Sequence, residues 1–320
     1  MILAAGYGTR LGTISDERPK VLLPMCDVPL IRYPIALCRA AGIHELVINL
    51  HHKGELVERT LGDGATLGVS IRWSREPQIL GTGGGVRHAS PLLGRETCVV
   101  LNGKVVADLD LAAVIAEHRA RGALATMVVR PDANAGRWGA IDVGPDGRIR
   151  GILGAGAYMF TGIHVLEPEL IARIPAEGEQ CIIRTAYLAA LRDGAPLYAH
   201  VMAGTFGEHS TPARYLEGNL ALLAGAPLAH PPAALTGVDL RARVAASARL
   251  AGPVRIGPKA VVGDGAVVGP GVVVGHDAEV APGARLSDTV VWDGARVEGE
   301  LTRAIVTPRA VHLAPPQTGV

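Results

Sequence analysis

From Met1 to about Leu223, short β-branched apolar runs alternate with longer stretches whose apolar residues recur at helical spacing. The runs Met1-Ile2-Leu3-Ala4-Ala5, Leu46-Val47-Ile48-Asn49-Leu50, Cys98-Val99-Val100-Leu101 and Ala125-Thr126-Met127-Val128-Val129 have the length and residue types of buried strands. Segments 29–41, 53–61, 84–93 and 111–121 lie between them and suit crossover helices. That alternation predicts an α/β fold with a mostly parallel sheet covered by helices on both faces. After Val143 the pattern shortens. AIDVGPDGRIRGI reads as a hairpin turning at Pro-Asp-Gly, and AYMFTGIHVL as a further strand, so an antiparallel insertion is expected there.

A second change follows Leu223, where AGAPLAHPPAA has the Ala and Pro content of a linker. Beyond it, branched apolar residues recur every six positions at Val244, Leu250, Ile256, Val262, Val268, Val274, Val280 and Leu286. Ala260, Ala266, Val272, Ala278 and Ala284 each follow four positions after one of them. One phase held across eight positions predicts a short left-handed β-helix that buries the recurring residues and turns its corners at Gly, Asp and Pro. The expected division is a first domain over 1–225, a linker over 226–236 and the repeat domain over 237–320. Assembly or capping is the role expected of the repeats. His276 is the one histidine within them, and the shortness of the array argues against acyl transfer.

Composition narrows the function classes. The chain has 320 residues, 48% of them hydrophobic, which is enough for two cores. A formal net charge of +1 and the lack of a long basic run give no electrostatic reason to expect nucleic acid or a membrane surface as a partner. Cys26, Cys38, Cys98 and Cys181 are far apart and form no CxxC, so free thiols are expected. No leader pattern is evident and no apolar run approaches the ~20 residues that cross a bilayer, so a cytoplasmic protein is expected.

The candidate chemistry begins where the first strand enters AAGYGTRLG, whose Gly6 and Gly8 let a ligand approach the backbone, with Arg10 close behind. DERPKVLLP then places Arg18 and Lys20 where a second set of cations could converge on phosphates held by backbone N–H groups. Leu-Ala-Ala-Gly-x-Gly-Thr-Arg followed by Arg-Pro-Lys-x-Leu-Leu-Pro resembles the signature of the sugar-1-phosphate nucleotidyltransferases, or NDP-sugar pyrophosphorylases. The closest likeness is to the mannose-1-phosphate guanylyltransferase type with a C-terminal hexapeptide domain. The resemblance runs through EPQILGTGGGVRHA, similar to the family's base-binding loop, and LNG, similar to its metal-site strand end. It continues in FTGIHVL, similar to a sugar-pocket strand, and TPARYLEGN, similar to the closing helix.

What this resemblance implies is a Rossmann-like domain followed by a β-helix. A sugar-1-phosphate oxygen would attack the α-phosphorus of a nucleoside triphosphate in line and release pyrophosphate, with catalysis mostly by positioning and charge neutralisation. Ala4, Ala5, Gly6, Gly8 and Thr9 would cradle the triphosphate, Arg10 would stabilise departing pyrophosphate, and Lys20 would steady the phosphate under attack. Glu76, Gly81 and Thr82 would meet the base, and Gly139, Thr161 and Gly162 the sugar. A carboxylate at Glu76 can accept from guanine N1–H and N2–H or from the single N–H of uracil or thymine. GTP, mildly preferred, and UTP or dTTP therefore all stand as substrates.

Three departures from the family qualify this expectation. Two aspartates hold Mg²⁺ in the family, but this chain has Lys104 after LNG and Glu208 in FGEHSTP. Glutamate could hold a shifted Mg²⁺, whereas an ammonium has only donors and repels the ion. The acid-lysine-proline anchor for the sugar phosphate is missing from GRIRGILGAGAYMF, and His209 and Ser210 are unusual beside the second metal position. Only Lys20, Lys53, Lys104 and Lys259 among 31 basic side chains are lysines, so Lys104 is not this protein's ordinary surface cation. Its charge is expected to replace part of the metal's. Two functions follow: a nucleotidyltransferase with an atypical metal site, or a catalytically impaired paralogue that binds nucleotide or NDP-sugar as a regulatory or scaffolding subunit. A homo-oligomer or hetero-complex through the β-helix is expected by analogy.

Overall fold

Residues 1–315 are described in the computed structural model of the protein, so the last five positions of the expected repeat domain lie outside the described residues. Contacts divide the chain into two compact units. One comprises Met1–Tyr7 and Pro34–Phe206; the other comprises Gly8–Tyr33 and Gly207 onward. The domain limits expected from the sequence therefore differ from the compact units. Residues 8–33 group with the second unit although they precede most of the first in the chain.

The first unit is built on a nine-stranded sheet. Its strands are β1 (Ile2–Leu3), β2 (Glu45–Leu50), β3 (Ser70–Arg75), β4 (Cys98–Asn102), β5 (Ala125–Pro131), β6 (Ala140–Val143), β7 (Ile149–Gly154), β8 (Tyr158–Leu166) and β9 (Leu197–Val201). The order is β7-β6-β8-β4-β1-β2-β3, with β5 pairing β8 and β9. Pairing is parallel through β4-β1-β2-β3, as the long crossovers require, and antiparallel on both sides of β8. The expected insertion is thus a hairpin of β6 and β7 followed by β8.

Five helices matter to the site: α1 (Arg32–Ala40), α2 (Gly54–Leu61), α3 (Gly81–Leu93), α4 (Leu111–Ala120) and α5 (Pro212–Leu223). The first four fall within the segments expected to be helical, except that α3 begins three residues earlier, inside the glycine run. Asp110 caps α4 by accepting from the Ala113 N–H at 2.9 Å, and Thr211 caps α5 by accepting from the Arg214 N–H at 3.3 Å ahead of Pro212. No helix among the described residues is long and apolar enough to cross a membrane. The core of the first unit gathers Val100, Met127, Val129, Ile141, Leu166 and Tyr187, all essentially without solvent exposure. All four cysteines are free; Cys26 and Cys38 are buried, and Cys181 is exposed.

In the second unit the six-residue phase becomes a parallel β-helix. Val244 pairs with Val262 and Val262 with Val280, while Leu250 pairs with Val268 and Val268 with Leu286. Val238, Ile256 and Val274 form a third file. Partners are eighteen residues apart, so three hexapeptides make one coil. Inward Ile256, Val262, Val268, Val274 and Val280 are almost wholly buried. Each such side chain contributes roughly 1.5–3 kcal/mol on burial. After Leu286 the coil shortens, with Val280 against Val297 and Leu286 against Leu301, which is why the sequence repeat loses phase there. An antiparallel strand, Val311–Leu313, covers the last coil strand, Glu300–Val306.

Candidate active site

The parallel half of the first unit sets its candidate residues in a row. Asn102 of β4, Leu3 of β1, Asn49 of β2 and Ser74 of β3 are register partners at the C-terminal ends of their strands. Ligands of α/β folds bind at such ends because the chain leaves the sheet there and exposes backbone groups. Ala4 and Ala5 continue from β1 as buried residues, and Gly6 is exposed. Lys104 follows β4 in a half-buried turn, one residue beyond Gly103, whose N–H donates to the Leu3 carbonyl at 2.9 Å.

Asn49 joins two of these loops, and the sequence reading missed it. Its Oδ1 accepts from the Ala4 N–H at 2.7 Å, and its Nδ2 donates to Glu76 Oε1 at 2.7 Å. The other Glu76 oxygen accepts from the Leu80 N–H at 3.0 Å. Glu76 is 4% exposed. The carboxylate is directed inward and organises the loop that leads to Gly81. An amide at the end of an otherwise apolar strand was the available signal, because a buried polar group in such a place needs partners.

The glycine run behind Glu76 serves the same packing. A Cβ at Gly85 would lie 2.6 Å from Glu76 Oε1 and 2.8 Å from Asn49 Nδ2. Gly81 opens α3 with φ of +71°, and the Gly83 N–H donates to the Gln180 carbonyl at 2.7 Å. Exposed Thr82 accepts from the Ile182 N–H at 3.2 Å. The loop is thereby braced by residues 180–182, leaving Gly81 and Thr82 at its open end.

Of the expected sugar contacts, Thr161 is buried. It is 2% exposed and its hydroxyl donates to the Val128 carbonyl at 2.7 Å, bridging a register shift between β8 and β5. Gly162 is buried with φ of +80°, and a Cβ there would fall 1.9 Å from Asn102 Nδ2, so only glycine fits. Gly139 ends the short helix Ala135–Trp138 with φ of +85° beside Leu153 of β7.

In the second unit, Gly8 adopts φ of +77° and starts a 3₁₀ turn, Thr9–Leu11. Thr9 and Arg10 are exposed on this turn. Half-buried Lys20 runs alongside: a Cβ at Gly8 would lie 3.6 Å from both Lys20 Cβ and Cε. Arg18 departs from the expected convergence on phosphate. Its Nη1 and Nη2 donate to the two oxygens of Asp293 at 2.7 and 2.8 Å. Loss of solvent opposes its charge, and Asp293 more than compensates, so the Arg18 pKa is raised.

Glu208 ends the strand Phe206–Glu208. Its Oε2 accepts from Ser210 Oγ at 2.6 Å and Arg214 Nη1 at 3.2 Å, and Oε1 lies 3.6 Å from Arg10 Nη2. Two guanidiniums beside one carboxylate satisfy its charge and oppose a cation there. No group of three or more His, Cys, Asp and Glu able to hold a metal forms among the described residues. Lys104, whose ammonium has only donors, offers no ligand to a metal ion. Buried His209 fixes the neighbouring backbone: its Nδ1–H donates to the Arg214 carbonyl at 3.1 Å. The ring occupies space left by two glycines, since a Cβ at Gly218 would fall 2.1 Å from its Cε1 and one at Gly207 2.8 Å. Burial lowers the His209 pKa to about 4, so the ring is neutral near pH 7.

Comparison with known proteins extends the resemblance. A family model described as nucleotidyl transferase matches residues 1–213, and one described as bacterial transferase hexapeptide (six repeats) matches residues 253–288. The chain is 30% identical over 304 residues to a mannose-1-phosphate guanylyltransferase of Mycobacterium tuberculosis, covering 93% of this chain and 80% of that protein. It is 36% identical over 184 residues to an N-acetylmuramate alpha-1-phosphate uridylyltransferase of Neisseria meningitidis, covering 55% of this chain and 78% of that one. A crystal structure assigned as a glucose-1-phosphate thymidylyltransferase of Bacillus anthracis shares the fold with a TM-score of 0.62 at 23% identity, over 68% of this chain and 92% of that chain. Strand-end row, glycine-rich loop and repeat domain therefore have one explanation: the chain belongs to the nucleotidyl transferase family, among its sugar-1-phosphate nucleotidyltransferases.

Proposed function

We propose that the protein transfers a nucleoside monophosphate from a nucleoside triphosphate to a sugar-1-phosphate, with a metal corner that differs from the family's. A sugar-phosphate oxygen forms the new bond to the α-phosphorus, the bond from that phosphorus to the β-phosphate bridge breaks, and pyrophosphate leaves. Gly6, Gly8 and Thr9 offer backbone to the triphosphate, Arg10 neutralises the leaving group and Lys20 the phosphate under attack. Gly81 and Thr82 remain for the base, Gly139 and Gly162 for the sugar. With Glu76 turned inward the preference for guanine loses its ground, so GTP, UTP and dTTP are treated alike.

The observation that carries the altered corner is the pairing of Glu208 with Arg10, Arg214 and Ser210. Family members typically use Mg²⁺. A lysine and a glutamate at the two ligand positions carry no net charge together, as do two aspartates with a divalent ion. Lys104 then acts as a tethered point charge toward phosphate, attracting it without clamping two oxygens in line. Association through the β-helix, with a second copy or a related subunit, belongs to the same proposal.

The test is pyrophosphate release with a panel of nucleoside triphosphates and sugar-1-phosphates, with Mg²⁺ or chelator, for the native chain and Lys104→Asp. Slow turnover that chelation changes less than about twofold, and a variant that becomes Mg²⁺-dependent, are expected. Silence from the native chain beside activity in the variant would overturn the altered-metal reading. The absence of the acid-lysine-proline anchor favours a second reading, a nucleotide-binding regulatory subunit. Melting that rises with nucleotide while no substrate pair turns over is its signature.

A further inference from the structure

The segment 8–27 carries the phosphate-loop residues, yet its side chains are anchored to the β-helix and α5. The strongest tie is Arg18 to Asp293, a two-point contact of planar guanidinium and carboxylate that fixes direction as well as distance. Arg18 Cζ also lies 4.9 Å from the centre of the Trp292 ring. Trp292 is wholly buried, and its Nε1–H donates to the Tyr215 hydroxyl at 3.1 Å. That hydroxyl in turn donates to the Pro24 carbonyl. Thr307 of the β-helix donates to Glu17 at 2.5 Å, the His276 N–H donates to Asp27 at 3.0 Å, and the Cys26 N–H donates to Asn219 of α5 at 2.7 Å. Ties from Glu17, Arg18, Pro24, Cys26 and Asp27 thus bracket Lys20. Gly8 lies against that lysine.

We propose that Asp293 is a positioning residue for the phosphate loop: through Arg18 the β-helix holds the Gly8–Lys20 segment in its nucleotide-receiving form. The β-helix is then a working part of the nucleotide site as well as an assembly module. An isolated guanidinium on a short loop samples many rotamers, and the carboxylate from a rigid coil selects one. Trp292 limits the movement of the same group from its ring face. The functional half of this inference rests on the nucleotidyltransferase reading; the mechanical half does not.

The experiment uses the full chain and three substitutions: Asp293→Asn, Asp293→Glu and the reversed pair Arg18→Asp with Asp293→Arg. Amide hydrogen exchange without nucleotide reports the mechanical half. In Asp293→Asn, amides of residues 9–18 should exchange about tenfold faster, the scale of one charge-assisted pair, while those of coil residues 254–280 stay as in the native chain. Titration with GTP, UTP and dTTP reports the functional half. For whichever nucleotide the native chain binds, affinity should fall about fivefold to tenfold in Asp293→Asn and return at least halfway in Asp293→Glu or the reversed pair. Where turnover is measurable, KM for the nucleotide rises and kcat changes less than twofold. Unchanged exchange of residues 9–18 in Asp293→Asn would overturn the proposal, as would faster exchange with nucleotide affinity intact. Accelerated exchange of the coils as well would reduce Asp293 to a general stabiliser. If the native chain binds none of the three nucleotides, the function proposed above fails and, with it, the functional half; the exchange result still decides whether the tie exists.

Discussion

Glu76 and Glu208 both stand beside glycine-bearing segments of the candidate site, and their surroundings are opposite. Glu76 is buried among neutral donors, an amide from Asn49 and the Leu80 N–H, in a place shaped by Gly85. Glu208 is half-buried among Arg10, Arg214 and Ser210. The first carboxylate ties a side-chain amide to a backbone N–H, so it serves mainly to hold backbone in place. The second meets cations, so it serves mainly to orient other charges. A carboxylate's role follows from its partners more than from its motif.

The sharpest break of this comparison is Glu76→Ala. It strands the Asn49 amide and the Leu80 N–H, and a loss of about 4 kcal/mol in urea unfolding is expected. A loss under ~1 kcal/mol, the size of a surface effect, would place Glu76 outside the fold's framework.

Asp27 is an intermediate case, with the His276 N–H at 3.0 Å and Arg255 Nη2 at 3.6 Å. Burial raises its pKa from 3.8 to about 6 despite both. The folded state therefore binds the proton more tightly than the unfolded one. The resulting stabilisation is full below pH 4, falls as pH rises through about 6, and amounts to at most about 3 kcal/mol. Unfolding measured between pH 4 and 7.5 should show that slope, and Asp27→Asn should flatten it. A variant that keeps the native slope would assign it to another group.

A smaller effect is expected from Gly218→Ala. Alanine ordinarily improves a helix by up to about 1 kcal/mol, but here its Cβ would enter the His209 ring, and a net loss of about 2 kcal/mol is expected. Stabilisation in thermal unfolding would mean that His209 moves aside freely. The smallest stability effect belongs to Glu208→Gln, under about 1 kcal/mol because its partners are partly solvated. Its KM for nucleotide should nonetheless change as Arg10 loses its partner. Unchanged KM would separate Glu208 from the phosphate machinery.

Much of this architecture was legible before the structure. β-branched runs fill the parallel strands, and the six-residue phase from Val244 to Leu286 is the face the β-helix buries. Those readings held because side-chain period follows directly from backbone geometry. The glycines of GTGGG misled in a specific way: a loop was expected before Gly84, yet α3 starts at Gly81, since the absent Cβ atoms let residues 178–182 pack against a helix. Glu76, Thr161 and Arg18 stand out in the motifs, but their hydrogen-bond and ion-pair partners do not. Asn49 and Asp293, which hold two of them, lie 27 and 275 residues away from Glu76 and Arg18 respectively.

By itself, then, the sequence determined the two architectures and the family. Each is written in residue type and short-range spacing. The tertiary structure alone decided which polar groups face inward, that Glu208 meets two arginines, and that the segment 8–33 belongs with the β-helix. The physical reason is range. Periodicity is a property of neighbours along the chain, whereas a charged or hydrogen-bonding side chain is defined by partners that only folding brings within about 3 Å.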